Sequence, residues 1–123
     1  QRTRYDKYGQ SILLSYYDTD NEPVNNSWYG CAAFEYKYDL LGNNTDIIYR
    51  DTNGNMMVRE KLGYAWQNVK YDEWNRKEME IYYDAEQNPT LHVDGYAGIR
   101  YKYDEQGNMT THKFDLNGVE IIE

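Results

Sequence analysis

The sequence predicts an all-β fold, a repeat array of about four three-stranded β-meander units of about 33 residues each. Three observations lead there. Tyr-Asp pairs recur at Tyr5-Asp6, Tyr38-Asp39, Tyr71-Asp72 and Tyr103-Asp104, their aspartates 33, 33 and 32 residues apart, and a fixed period of this size marks a repeat architecture. A second marker follows each at 12, 12, 12 and 11 residues, at Asp18, Asp51, Asp84 and Asp115. The segments before the first markers alternate apolar and polar residues, as half-buried strands do. The units run about 1–28, 29–62, 63–94 and 95–123, within one β-repeat domain over 1–123.

The first strand of each unit ends on the Tyr-Asp marker. In the fourth unit Ala97, Ile99, Tyr101 and Tyr103 share one face, with Gly98, Arg100 and Lys102 on the other; in the second, Ala32, Phe34, Tyr36 and Tyr38 oppose Ala33, Glu35 and Lys37. The third unit is weaker, because Trp66 falls on the nominally polar side. A tight turn follows. Gly9, Gly42, Asn75 and Gly107 stand three residues after the markers, where a left-handed backbone is needed, and Gly and Asn accept it best. The marker Asp bonds the backbone two residues on and fixes the turn.

Middle strands are predicted at Ser11–Tyr17, Thr45–Arg50, Lys77–Tyr83 and Met109–Phe114, with a helix over Asp72–Ile81 as the alternative in the third unit. Asn21, Gly54, Gln87 and Gly118 then repeat the turn signal in looser form. Short third strands follow around Pro23-Val24, Met56–Val58, Pro89–Val93 and Val119–Ile122, two of them opened by Pro, where it costs no ladder hydrogen bond. Leu62-Gly63 and Asp94-Gly95 turn the chain into the next unit. Neither end carries a distinct polar cap of the kind repeat arrays need, so the pattern reads as a fragment of a longer array, or as one whose ends a partner copy covers.

Tyrosine supplies most of the apolar surface, with 15 Tyr and 3 Trp against 2 Phe, at a mean hydropathy of −1.03. Half-buried aromatic faces fit this better than a large aliphatic core. A net charge of −8 argues against nucleic-acid backbones and anionic membrane surfaces as partners, and no apolar run is long enough to span a membrane. The single cysteine, Cys31, stands where later units have Tyr64 and Tyr96, and reads as a packing residue.

The phrase Tyr-x-Tyr-Asp-x-x-Gly-Asn, at Tyr36 to Asn43 and Tyr101 to Asn108, resembles the tyrosine–aspartate (YD) repeats of bacterial Rhs proteins, toxin shells and teneurins. The Gly-Tyr-Ala opening and the Tyr-Tyr-Asp…Asn-Pro middle are similar to tandem repeats in surface proteins of gut Firmicutes. The likeness covers essentially the whole chain, with two departures: typical YD repeats have Gly-Arg where this chain has Gly-Asn or Asn75-Arg76, and their unit is shorter. The resemblance implies an extracellular or cell-surface bacterial scaffold and brings no catalytic residues with it.

The function expected is therefore non-enzymatic. No phosphate loop, dinucleotide fingerprint or metalloprotease motif is present, and His92 and His112 have no Ser or Cys nucleophile near them in sequence. No cofactor is expected. Binding of a cell-wall or host glycan is the sharpest option, with Trp28, Trp66, Trp74, Tyr64 and Tyr96 as candidate stacking rings; packing between units is the competing reading of the same residues. Calcium is a weaker option, with Asp18, Asp20, Asp51 and Asn53 alternating oxygen ligands as calcium loops do. Protein–protein contact or a homo-oligomer through uncapped ends, and a purely structural spacer, complete the alternatives.

Overall fold

The computed structural model describes residues 1–122. Eight strands follow one another: β1 (Arg2–Tyr5), β2 (Ser11–Ser15), β3 (Ala33–Tyr38), β4 (Asn44–Arg50), β5 (Trp66–Tyr71), β6 (Lys77–Tyr83), β7 (Gly98–Tyr103) and β8 (Met109–Phe114). They form one open antiparallel sheet in the order β1 to β8, each strand paired only with its chain neighbours. No helix occurs among the described residues, and Asp72–Ile81 is a turn leading into β6.

The turn chemistry follows the sequence closely. Gly9, Gly42, Asn75 and Gly107 all have positive φ, and so do Asn21, Gly54, Gln87 and Gly118. The first set closes the hairpins β1–β2, β3–β4, β5–β6 and β7–β8. The second set turns the chain back on itself after each even-numbered strand.

The third strands expected from the sequence are not formed as strands. Each segment touches the sheet through a single bridge, at Tyr17↔Pro23, Arg50↔Met56, Tyr83↔Pro89 and Phe114↔Glu120. The reason is visible at Tyr49. Its carbonyl accepts the N–H of Met57, but its own N–H already donates to the carbonyl of Ala65, where the chain enters β5. The next strand occupies the edge that a third strand would need. The returning chain therefore leaves the ladder after one bridge and crosses over one face of the sheet.

That face holds the core. Phe34 pairs with Leu14 and Tyr49, and Tyr36 with Ile47, which puts these side chains on one side of the sheet. Cys31, Phe34, Tyr49, Tyr64, Tyr82 and Tyr96 form the buried cluster, and Met57, Leu62 and Ile121 from the crossing segments pack on it. The rings make a continuous row across the strands, with centroids 5.4 Å apart for Phe34–Tyr49, 6.1 Å for Tyr49–Tyr64, 4.5 Å for Tyr64–Tyr82 and 5.8 Å for Tyr82–Tyr96. Offset and edge contacts of this kind add to the area each ring buries. A chain of low mean hydropathy thus builds its core from phenol rings. The crossing segments also touch one another: Arg59 donates from Nε to the Tyr29 carbonyl, and Val93 N–H to the Leu62 carbonyl.

Candidate functional site

Each of the eight marker aspartates builds the same turn. Its Oδ1 accepts the N–H groups two and four residues on, as Asp6 does from Tyr8 and Gln10 at 2.9 and 3.0 Å, and Asp51 from Asn53 and Asn55. The backbone geometry demands nothing of the side chain at the second position, which points outward. After the second markers that position is polar throughout: Asp20, Asn53, Glu86 and Asn117. After the first markers it holds Tyr8, Leu41, Trp74 and Gln106. The same turn made of polar residues is sufficient for folding, so the large apolar side chains on the hairpin tips are not there to make the turn.

Trp28 follows the same rule elsewhere. Asn26 replaces the aspartate, and its Oδ1 accepts the N–H groups of Trp28 and Tyr29 at 2.8 and 3.0 Å. Trp28 is 74% exposed and Trp74 67%. Trp28 borders a groove of about 330 Å³ with Ser27, Tyr29, Met57, Glu60 and Lys61, and the Lys61 ammonium lies 5.7 Å from the centre of its ring. An open ring flanked by a carboxylate, an ammonium and a hydroxyl has both the stacking surface and the polar groups that orient a small ligand.

The other three ring candidates lie elsewhere. Tyr64 and Tyr96 are buried in the core row, and burial first of all pushes both phenols above their usual range. Trp66 is half-buried on the opposite face, stacked on Tyr83 at 4.2 Å, with its Nε1–H donating to Asp46 at 2.7 Å. The structure therefore exposes Trp28 and Trp74 on turns and packs Trp66, Tyr64 and Tyr96 against neighbours. Tyr8, Leu40 and Leu41 were not singled out by sequence. Their signal was their position on the turn, where the first and second markers differ.

A second groove, of about 610 Å³, opens between the first two hairpin tips, lined by Asp6, Tyr8, Gln10, Ile12, Tyr36, Tyr38, Asp39, Leu40 and Leu41 among others. Donation from the Asn43 amide, with the backbone N–H bonds, holds the Asp39 carboxyl below its ordinary range. The calcium candidates stand on separate turns, Asp18 and Asp20 on one, Asp51 and Asn53 on another, and Asp18 and Asp51 each spend Oδ1 on two backbone N–H groups. Among the described residues no three His, Cys, Asp or Glu side chains converge on one point. His92 stacks on Tyr96 at 4.6 Å. His112, on the edge strand β8, links Thr110 of the same strand at 3.0 Å to Glu120 of the returning segment at 2.5 Å, and Thr110 and Glu120 are open to water. Cys31 is buried, and burial raises its thiol above the usual range, which suits packing.

Neither a protein-family model nor a curated protein matches this chain.

Proposed function

We propose that this chain is a non-enzymatic repeat module of tyrosine–aspartate type, cell-surface or secreted, that acts in binding or adhesion with a cell-wall or host glycan as its ligand. The single observation that carries this reading is the pair of tryptophans, Trp28 and Trp74, held outward at the same position of an Asx turn that does not need them. A flat amphipathic ring offers contact area at small entropic cost, and separate weak sites on one rigid sheet add through effective concentration. The recurrence of one turn at eight aspartates supports a stacked array of like units, each a hairpin with a bridged return.

The test is retention of the protein on peptidoglycan and on immobilised host glycans. Trp28→Ala and Trp74→Ala should each weaken retention, and the double variant should abolish it, with the melting temperature unchanged. Failure of the wild type to bind any of these materials would overturn the glycan reading. Leu40 and Leu41 favour a second reading, protein–protein contact, because exposed aliphatic side chains on adjacent positions suit a protein surface better than a sugar face. A spacer role is what stands if neither kind of ligand is found.

A further inference from the structure

We propose that the groove between the first two hairpin tips binds a guanidinium group of the kind an arginine side chain carries, seated between the Asp6 carboxylate and the Tyr38 ring. The protein shows how such a group is held, because it fills the corresponding place between its third and fourth hairpins with its own Arg76. The Arg76 guanidinium lies 4.0 Å from the centre of the Tyr103 ring, and its Nε donates to Asp72 Oδ2 at 2.9 Å. Arg76 stands four residues after its marker, and Tyr103 directly precedes the next one. In the first groove the same two positions are Gln10 and Tyr38, and the marker is Asp6. The carboxylate and the ring are thus repeated, and the side chain between them is neutral.

The groove between the second and third tips is closed differently. Asn43 there donates to Asp39 Oδ2 and to Asn75 Oδ1, tying the two turns together. The second groove also has a carboxylate and a ring at these positions, Asp39 and Tyr71, around a neutral side chain, but the Asn43 amide already occupies Asp39 Oδ2; at the first groove Asp6 Oδ2 accepts no side-chain hydrogen bond from the described residues, and Asp6 borders a cavity of about 610 Å³. Asp6 Oδ1 is engaged by its own turn, and Asp6 Oδ2 corresponds to the oxygen that pairs with Arg76. Tyr8, Leu40 and Leu41 border the space and exclude water from the alkyl stem of a bound side chain. The groove has cations of its own. Lys37, carried by β3 between Tyr36 and Tyr38, lines it, and the Lys7 ammonium lies 5.1 Å from the Tyr8 ring; among the described residues neither is ion-paired with Asp6. The net charge of −8 draws a cation toward the surface.

This inference is independent of the glycan reading and is tested without any glycan. Ethylguanidinium, its neutral isostere ethylurea, and a short arginine-containing peptide are titrated into the folded protein, with the Tyr38 ring and Asp6 resonances as the readout. Ethylguanidinium should saturate these shifts and ethylurea should not. Asp6→Asn should weaken binding at least tenfold while keeping the turn, since an Asn side chain retains an Oδ1 acceptor, as Asn26 does in accepting the N–H groups two and three residues on. Gln10→Arg should abolish binding and raise the melting temperature, because the protein then supplies the cation itself. A peptide that binds more tightly than ethylguanidinium identifies a partner chain as the source, and equal affinity a free small molecule. Equal response to ethylurea, or unchanged binding in Gln10→Arg, would overturn the proposal.

Discussion

The Tyr82 hydroxyl donates to the carboxylate of Glu80, its neighbour on the same face of β6, in the most enclosed part of the sheet. Tyr101 donates to the other oxygen of that carboxylate at 3.2 Å, so two phenols share one buried acid. Removing the acid leaves both hydroxyls without their acceptor, and an unsatisfied buried donor costs more than the bond contributed. Glu80→Ala is predicted to lower stability by about 2–3 kcal/mol, and Tyr82→Phe by about 1 kcal/mol beyond any packing change. Urea denaturation measures both, and equal losses would show that the shared acceptor is not the cause.

The tyrosine core makes the fold sensitive to alkali. Burial, reinforced by the Glu80 charge and hydrogen bond, pushes the Tyr101 phenol up to about 12 and raises Tyr82 further. Burial likewise raises Tyr64 and Tyr49. In the unfolded chain these phenols ionise near about 10. Between the two values the unfolded state has lost protons that the folded state keeps, so stability falls as pH rises. The stabilising contribution is complete below about pH 10 and declines from there through about 12, where Tyr101 ionises in the fold. Melting temperature against pH should show this decline, with phenolate absorbance rising together with unfolding.

Gly98 is required by a neighbour. A Cβ there would clash with the Phe114 ring and with the Glu80 carbonyl oxygen. Gly98 pairs with Phe114 across β7–β8, a small residue opposite a large one. Gly98→Ala is predicted to cost about 2–3 kcal/mol through overpacking. Phe114→Leu in the same chain should recover part of the loss, which a thermodynamic cycle of the two changes would measure.

Gln87 adopts φ 68°, a left-handed conformation that the corresponding turns give to Asn21, Gly54 and Gly118. An L-residue with a long side chain is strained there. Gln87→Gly is predicted to raise stability by about 0.5–1 kcal/mol, the relief of strain being partly offset by the greater freedom of glycine in the unfolded chain. Chemical denaturation of the single variant checks it.

These residues also show how much of the molecule was legible in its sequence. The left-handed positions were read by register, and register succeeded even at Gln87, where residue type gave no help. The first strands of the second and fourth units are legible because Phe34, Tyr36 and Tyr38 alternate with Glu35 and Lys37, as Ile99, Tyr101 and Tyr103 do with Arg100 and Lys102. The third strands are not legible in the sequence, because a short apolar segment such as Met56–Val58 looks the same whether its edge is free or, as at Tyr49, already taken by the next strand. Tyr64 and Tyr96 could not be separated from Trp28 by aromatic character alone. What distinguishes them is whether the chain crosses the sheet at that point or turns above it. The correspondence between Arg76 and Gln10 lies in the sequence, but it has meaning only once Tyr103 and Tyr38 are placed opposite them.

The pairing of every strand with its immediate neighbours alone has a mechanical consequence. No strand near one end is hydrogen-bonded to a strand near the other, so the sheet has no closing contact to break first. Tension applied at the two chain ends would act across the strands and draw them away singly, each releasing its length of backbone before the next gives way. Return would be equally local, because each hairpin re-forms from residues close in sequence, the condition that favours rapid folding. A protein built this way yields by stages under load and recovers when the load is removed.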